Sequence, residues 1–155
     1  FGIGTITYIG VNGAMLHIIN HAVIKALLFM SVGAVTIATG KYLVDELGGL
    51  AQEKPFVSLL GTTGALAIAG VPLFGAFQSE WLIFAGGFAS AHPVLGAFAV
   101  FGVVFTAAYA LIFIAKVFFG QAKTRSLNDI PLTITIPMTI LALISLWIGI
   151  YPWVF

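Results

Sequence analysis

Residues 13–39 read Gly-Ala-Met-Leu-His-Ile-Ile-Asn-His-Ala-Val-Ile-Lys-Ala-Leu-Leu-Phe-Met-Ser-Val-Gly-Ala-Val-Thr-Ile-Ala-Thr. The stretch holds no acid and no proline, and its one full charge is Lys25. It is long enough to cross a bilayer as a helix. His17, His21 and Lys25 fall four residues apart, a spacing that stacks side chains along one helix face. At about 1.5 Å per residue, Lys25 lies roughly 18–20 Å from either end, too far for a lysine stem to carry its ammonium to the headgroups. The ammonium must face protein, water or a partner charge. A charge at that depth costs about 2.5–3.5 kcal/mol on insertion scales, which makes Lys25 a functional candidate.

The rest of the chain follows the same pattern. Of 155 residues, 61% are hydrophobic and 7% are charged, and mean hydropathy is +1.14. A soluble domain carries roughly 25% charged residues. In lipid only helical bundles and closed barrels satisfy every backbone group, and the apolar runs here are continuous rather than alternating. The expected fold is therefore an all-α, polytopic transmembrane helical bundle. A net charge of +1 excludes a strongly basic nucleic-acid surface. There is no cysteine, hence no disulfide and no thiolate metal site. The chain opens on Phe1 with no charged n-region or cleavage site behind it, and is expected to be a piece of a longer protein.

Five apolar segments are expected, at about residues 13–39, 56–71, 75–90, 93–119 and 131–151. Residues 1–12, rich in Gly and Thr, read as a loop or a frayed helix end. Residues 40–55 form a polar loop carrying Lys41, Asp45, Glu46, Glu53 and Lys54, punctuated by Gly48-Gly49. Gly61, Ala65 and Ala69 make a small-residue stripe suited to close helix approach. The 75–90 segment gives only about 24 Å of helix. It follows Gly70-Val71-Pro72 and contains Gly86-Gly87, so it reads as a broken helix. Such breaks are tolerated in membranes only against protein or a wet cavity. A second polar loop, residues 121–130, carries Lys123, Arg125 and Asp129. If every segment crosses, the two loops fall on opposite sides, and the Lys/Arg count slightly favours a cytoplasmic second loop. Trp147, Tyr151 and Trp153 read as an interfacial aromatic belt.

Two charges lie inside apolar segments, Lys25 and Glu80. Burial disfavours charged forms, and a group that can be neutral can exchange a proton. Histidine titrates near neutrality unaided. His17, His21, Lys25 and Glu80 are thus the ingredients of a proton relay. The plainer alternatives are that Lys25 bridges to an acid on another helix, that the histidines bond backbone carbonyls without titrating, and that Glu80 sits at an interface. Lys116, close to Gly120, reads as a snorkelling end residue. His17 and His21 have helical zinc spacing, but Ile18 stands where the zincin pattern needs Glu and no third ligand is near, so no metal is expected. No glycine-rich nucleotide motif is present.

The motif His17-Ile-Ile-Asn-His21-Ala-Val-Ile-Lys25-Ala-Leu-Leu-Phe29 resembles a signature of the antiporter-like membrane subunits of respiratory complex I. Gly70-Val71-Pro72-x2-Gly75-x-Phe77-x-Ser79-Glu80 resembles the motif on that family's broken helix, with Leu73 where a second proline is usual and Ala76 loosening the match. Residues 109–120 and Gly149-Ile-Tyr-Pro152 resemble its last two helices. The resemblance implies the last five helices of a fourteen-helix, proton-translocating subunit, of the M (chain 4) type because Glu80 stands where related subunits tend to carry Lys. It implies Lys25 on a central hydrophilic axis and Glu80 as the terminal exchange residue. It further implies a subunit of a proton-pumping NADH:quinone oxidoreductase in an energy-transducing, prokaryotic cell membrane. Other membrane subunits, lipid and protons are its implied partners. NADH, FMN, Fe–S clusters and quinone are expected in partner subunits, and no cofactor or redox site in this chain. A membrane-bound hydrogenase, a formate hydrogenlyase, a multi-subunit cation/proton antiporter and a purely structural subunit remain alternatives.

Overall fold

The computed structural model describes residues 1–123 and 128–151. Arg125, Pro152 and Trp153 lie outside the described residues. A short 3-10 turn, Gly2–Thr5, leads into α1, Tyr8–Thr39. Helix α2 is a single turn, Leu50–Glu53, and α3 spans Pro55–Ile68. Helix α4 spans Gly75–Phe88, α5 Pro93–Phe113, and α6 Leu132–Ile150. The chain is a helical membrane bundle, and α1, α6 and the segment Pro93–Phe118 are each long and apolar enough to span.

Helix α1 starts at Tyr8, so residues 8–12, read as part of a loop or a frayed helix end, belong to the first span. Thr7, extended at φ −106°, caps it by accepting from the Gly10 amide. Gly40, at φ +68°, ends it in the left-handed region. The result is 32 residues, about 48 Å of helix.

The larger correction concerns α3 and α4. Each has 14 residues, about 21 Å, too short to cross alone. They lie end to end along α1. On α3, Gly64 faces Leu27 and Leu28 of α1's second half. On α4, Gly75 faces Asn20, and Gly86 faces Gly10 near α1's start. The pair therefore makes one broken crossing antiparallel to α1. Five apolar segments give four crossings, and both polar loops emerge on the same face rather than on opposite ones.

Contacts between the loops bear this out. Lys116 pairs with Asp45 at 2.9 Å. Lys123 donates to the Asp45 carbonyl at 2.6 Å, and Lys54 pairs with Asp129 at 3.0 Å. Gly48 and Gly49 lie against the backbone of Gln121 and Ala122. Lys116 thus reaches the polar end of its helix and finds an acid there. Its hydrogen bond and its charge hold the Asp45 carboxyl below the usual carboxylate range. A depressed carboxyl stabilises its folded form above its ordinary pKa, and that contribution is lost as pH falls through the lower folded value. Protection from hydrogen exchange in residues 41–49, taken relative to the intrinsic rate at each pH, should therefore fall in acid below the ordinary carboxylate range and stay flat from there to neutrality. In Lys116→Met the acid step should shrink, with the smaller influence of Lys123 left behind.

Helix α5 closes with a π-turn, Ile114–Phe118, so the 93–119 segment is not one uniform helix. The turn swings Phe118 inward until it is fully buried against Gly61. A side chain on Gly61 would fall on the Phe118 ring, which accounts for the glycine at that position of the small-residue stripe. Gly149 of α6 lies against the Leu73 carbonyl and Phe74, and so supports the α3–α4 break from behind.

Candidate functional site

The break sets the site. Gly70, at φ +71°, lets the chain leave α3. Leu73 follows at φ +94°, where a proline locked near −65° could not sit. That conformation accounts for the absence of the second proline of the resembling motif. The backbone then re-enters a helix at Gly75, and Glu80 lies on its second turn. The half-buried Glu80 carboxylate reaches back to the break, with Oε2 packed against Gly70. Val103 of α5 is the next neighbour there.

Beside the carboxylate lies a cavity of about 680 Å³ between α1, α4 and α5. His17, His21 and Glu80 line it, among apolar residues such as Ile24, Phe98 and Val103. The two imidazole centroids are 5.8 Å apart. His17 Nδ1 is 3.0 Å from the Ser79 hydroxyl, which ties α1 to α4 one residue from Glu80. Asn20 is fully buried and donates to the Gly75 carbonyl at 2.8 Å, while its Oδ1 has no partner among the described residues.

Three of the four candidate residues are thus brought together, and Lys25 is not among them. Lys25 is half-buried and does not line this cavity. Among the described residues no carboxylate lies within ion-pair distance of it, so the bridging alternative finds no partner there. The reason is helical drift. At 3.6 residues per turn, a step of four overshoots by about 40°, so two steps turn Lys25 about 80° from His17. Sequence reasoning gave no role to Asn20 or Ser79. Their signal is present but quiet: an amide within an apolar helix, and a hydroxyl one residue before the intramembrane carboxylate.

One consequence is open to test. A methyl group at Gly70 would meet the Glu80 carboxylate and would also force a non-glycine residue to positive φ. Gly70→Ala should cost about 1–3 kcal/mol of stability and move the carboxylate off the break. Scanning calorimetry of the assembled protein checks the first effect. Lower Glu80-dependent activity per assembled copy checks the second.

The fold and the site define a class, an integral helical membrane protein with titratable groups on its apolar helices, along a half-open space between them. Within it, the chain belongs to the NADH:quinone oxidoreductase/Mrp antiporter transmembrane family, whose pattern matches residues 1–106. A curated relative, NAD(P)H-quinone oxidoreductase chain 4 of Synechococcus sp. (strain CC9902), is 36% identical over 97% of this chain. The chain spans only 30% of that relative's length. Among solved structures, a chain of respiratory complex I from Thermus thermophilus with bound NADH superposes with a TM-score of 0.89 at 27% identity. The match covers 97% of this chain and 32% of that one. A chain of the membrane-bound sulfane sulfur reductase, an archaeal respiratory membrane complex, superposes with a TM-score of 0.85 at 34% identity. That match covers 93% of this chain and 24% of that one.

Proposed function

We propose that this chain is the C-terminal portion of a proton-translocating membrane subunit of a quinone-reducing, NADH-dehydrogenase-type complex. The observation that carries the reading is the shared cavity: two imidazoles, of which His21 is exposed, and a carboxylate line one half-open space between the helices. That space is far larger than the about 10–15 Å³ a single water needs. In this reading His17 and His21 pass protons through water to Glu80, which exchanges them near the break. Lys25, farther along α1, joins the path from another face. Electron chemistry, with NADH, FMN, Fe–S clusters and quinone, belongs to partner subunits. The M-type (chain 4) position within the complex rests on Glu80 and on the similarity to the Synechococcus chain.

The membrane is the cell membrane of a prokaryote, with the loop face cytoplasmic. Lys41, Lys54, Lys116 and Lys123 all lie at that end. Residues 1–7 and 89–92, at the opposite end, carry no Lys or Arg. This is the asymmetry expected of a cytoplasmic face. The chain has no cysteine, so single cysteines at Gln52 and Gln121 in a cysteine-free complex report sidedness cleanly. Both should react with an impermeant thiol reagent from the cytoplasmic side alone. Labelling from opposite sides would return the topology to five crossings.

The function is tested in vesicles carrying the assembled complex. Electron donor and quinone should drive proton uptake that a sodium gradient alone does not. Proton movement driven by sodium without a donor would make the protein an antiporter subunit. Donor turnover without proton movement would leave it a structural one.

A further inference from the structure

We infer that Ser79 is a positioning residue that holds His17 in the Nδ1–H tautomer, leaving Nε2 as the nitrogen that exchanges protons on the cavity wall. The consequence for proton transfer rests on the reading proposed above. The assignment itself rests on counting hydrogens.

The Ser79 hydroxyl is fully buried and has one hydrogen to give. Around Oγ stand the Ala76 carbonyl at 2.9 Å, the Gly75 carbonyl at 3.4 Å, Asn20 Nδ2 at 3.3 Å and His17 Nδ1 at 3.0 Å. A carbonyl can only accept. A 2.9 Å oxygen–oxygen contact with no hydrogen between would set lone pair against lone pair, so the hydroxyl hydrogen lies on the Ala76 carbonyl. Asn20 can only donate through Nδ2, and its orientation is fixed by the bond from Nδ2 to the Gly75 carbonyl at 2.8 Å. It fills one lone pair of Oγ. The remaining lone pair must accept from His17, and so Nδ1 carries the hydrogen.

A neutral imidazole protonated on Nδ1 is an acceptor on Nε2. The hydrogen bond at one ring nitrogen thereby decides which nitrogen does chemistry. Asn20 makes the arrangement rigid, since one amide group bonds both the start of α4 and the same hydroxyl. Glu80 is the next residue on α4, so the element that sets the imidazole also carries the carboxylate.

The test is nitrogen NMR on the whole complex containing isotope-labelled histidine, with His17→Gln subtracted to isolate His17. At a pH where the ring is neutral, Nδ1 should carry hydrogen and Nε2 should be bare. Ser79→Ala should redistribute the tautomer and lower proton movement roughly tenfold, the lower end of what losing an orienting histidine hydrogen bond costs elsewhere. Ser79→Thr, which keeps the hydroxyl, should restore both. An Nε2–H tautomer in the unaltered protein overturns the inference, as does a tautomer that ignores Ser79→Ala. If the tautomer behaves as stated while His17→Gln moves protons at full rate, the assignment stands and His17 leaves the proton path.

Discussion

Glu80→Gln should leave the complex assembled and abolish most of its proton movement. The substitution keeps volume and shape, so the contact with Gly70 survives. No cavity forms and no overpacking follows, the two usual routes by which an interior substitution unfolds a protein. The amide still hydrogen-bonds water, but it cannot take up and release a proton. A positioned acid–base group is worth about 10²–10⁴ in rate. Proton movement per assembled complex should therefore fall below about a tenth of its starting rate. The measurement is donor-driven pH change in vesicles, normalised to complex content by immunoblot. Glu80→Asp should retain a fraction of the rate, since it titrates but falls a methylene short of the break. Full movement in Glu80→Gln would remove the carboxylate from the path. Loss of assembly instead of movement would make Glu80 a structural residue.

Much of the fold was legible because long apolar runs admit few solutions in lipid. The 93–119 and 131–151 segments could be read from length alone, and Gly70-Val71-Pro72 marked the end of the second segment. The break read into residues 75–90 at Gly86-Gly87 does not occur, since α4 runs continuously through both glycines. The number of crossings was not legible. Hydropathy reports that a segment is apolar, not how deep its ends lie, and two half-length helices look like two spans. Only α1's length, with Gly64 at one level of it and Gly86 at another, shows that α3 and α4 share one crossing. The candidate site was legible where it is charged. Glu80 and the two histidines announce themselves against an apolar background, whereas Asn20 and Ser79 are neutral and pass for packing. Lys25 falls away from the space that the two histidines line, because a four-residue spacing resembles a straight stripe over one step and drifts over two. Leu73 was noted as a missing proline, but its positive φ belongs to a conformation no spacing argument supplies.

Gly86→Ala should destabilise the bundle although alanine is the better helix former. In an exposed helix the exchange gains up to about 1 kcal/mol. Here the added methyl would meet the Gly10 backbone, with the Thr7 hydroxyl 2.8 Å away. Neither helix can yield by turning a side chain, because the atom in the way is main chain. Thr7 also donates to the Gly86 carbonyl at 3.3 Å, and the same hydroxyl caps α1. Separating the helices therefore loosens the cap as well. Nearby, Gly13 lies against Leu82 and the Ile83 amide, so the two helices cannot pivot about a neighbouring contact. Overpacking of this kind costs about 1–3 kcal/mol. That should appear as a lower melting temperature of the detergent-solubilised complex. Because α4 carries Ser79 and Glu80 towards His17, proton movement should fall in the same variant. Gly33→Ala is the matched comparison: it too lies inside a helix, α1, but its methyl would meet nothing within 4 Å in this chain. It should be neutral or slightly stabilising. Equal losses in the two variants would mean that helix geometry, not the α1–α4 contact, limits stability, and the close approach that sets Ser79 against His17 would lose its energetic basis.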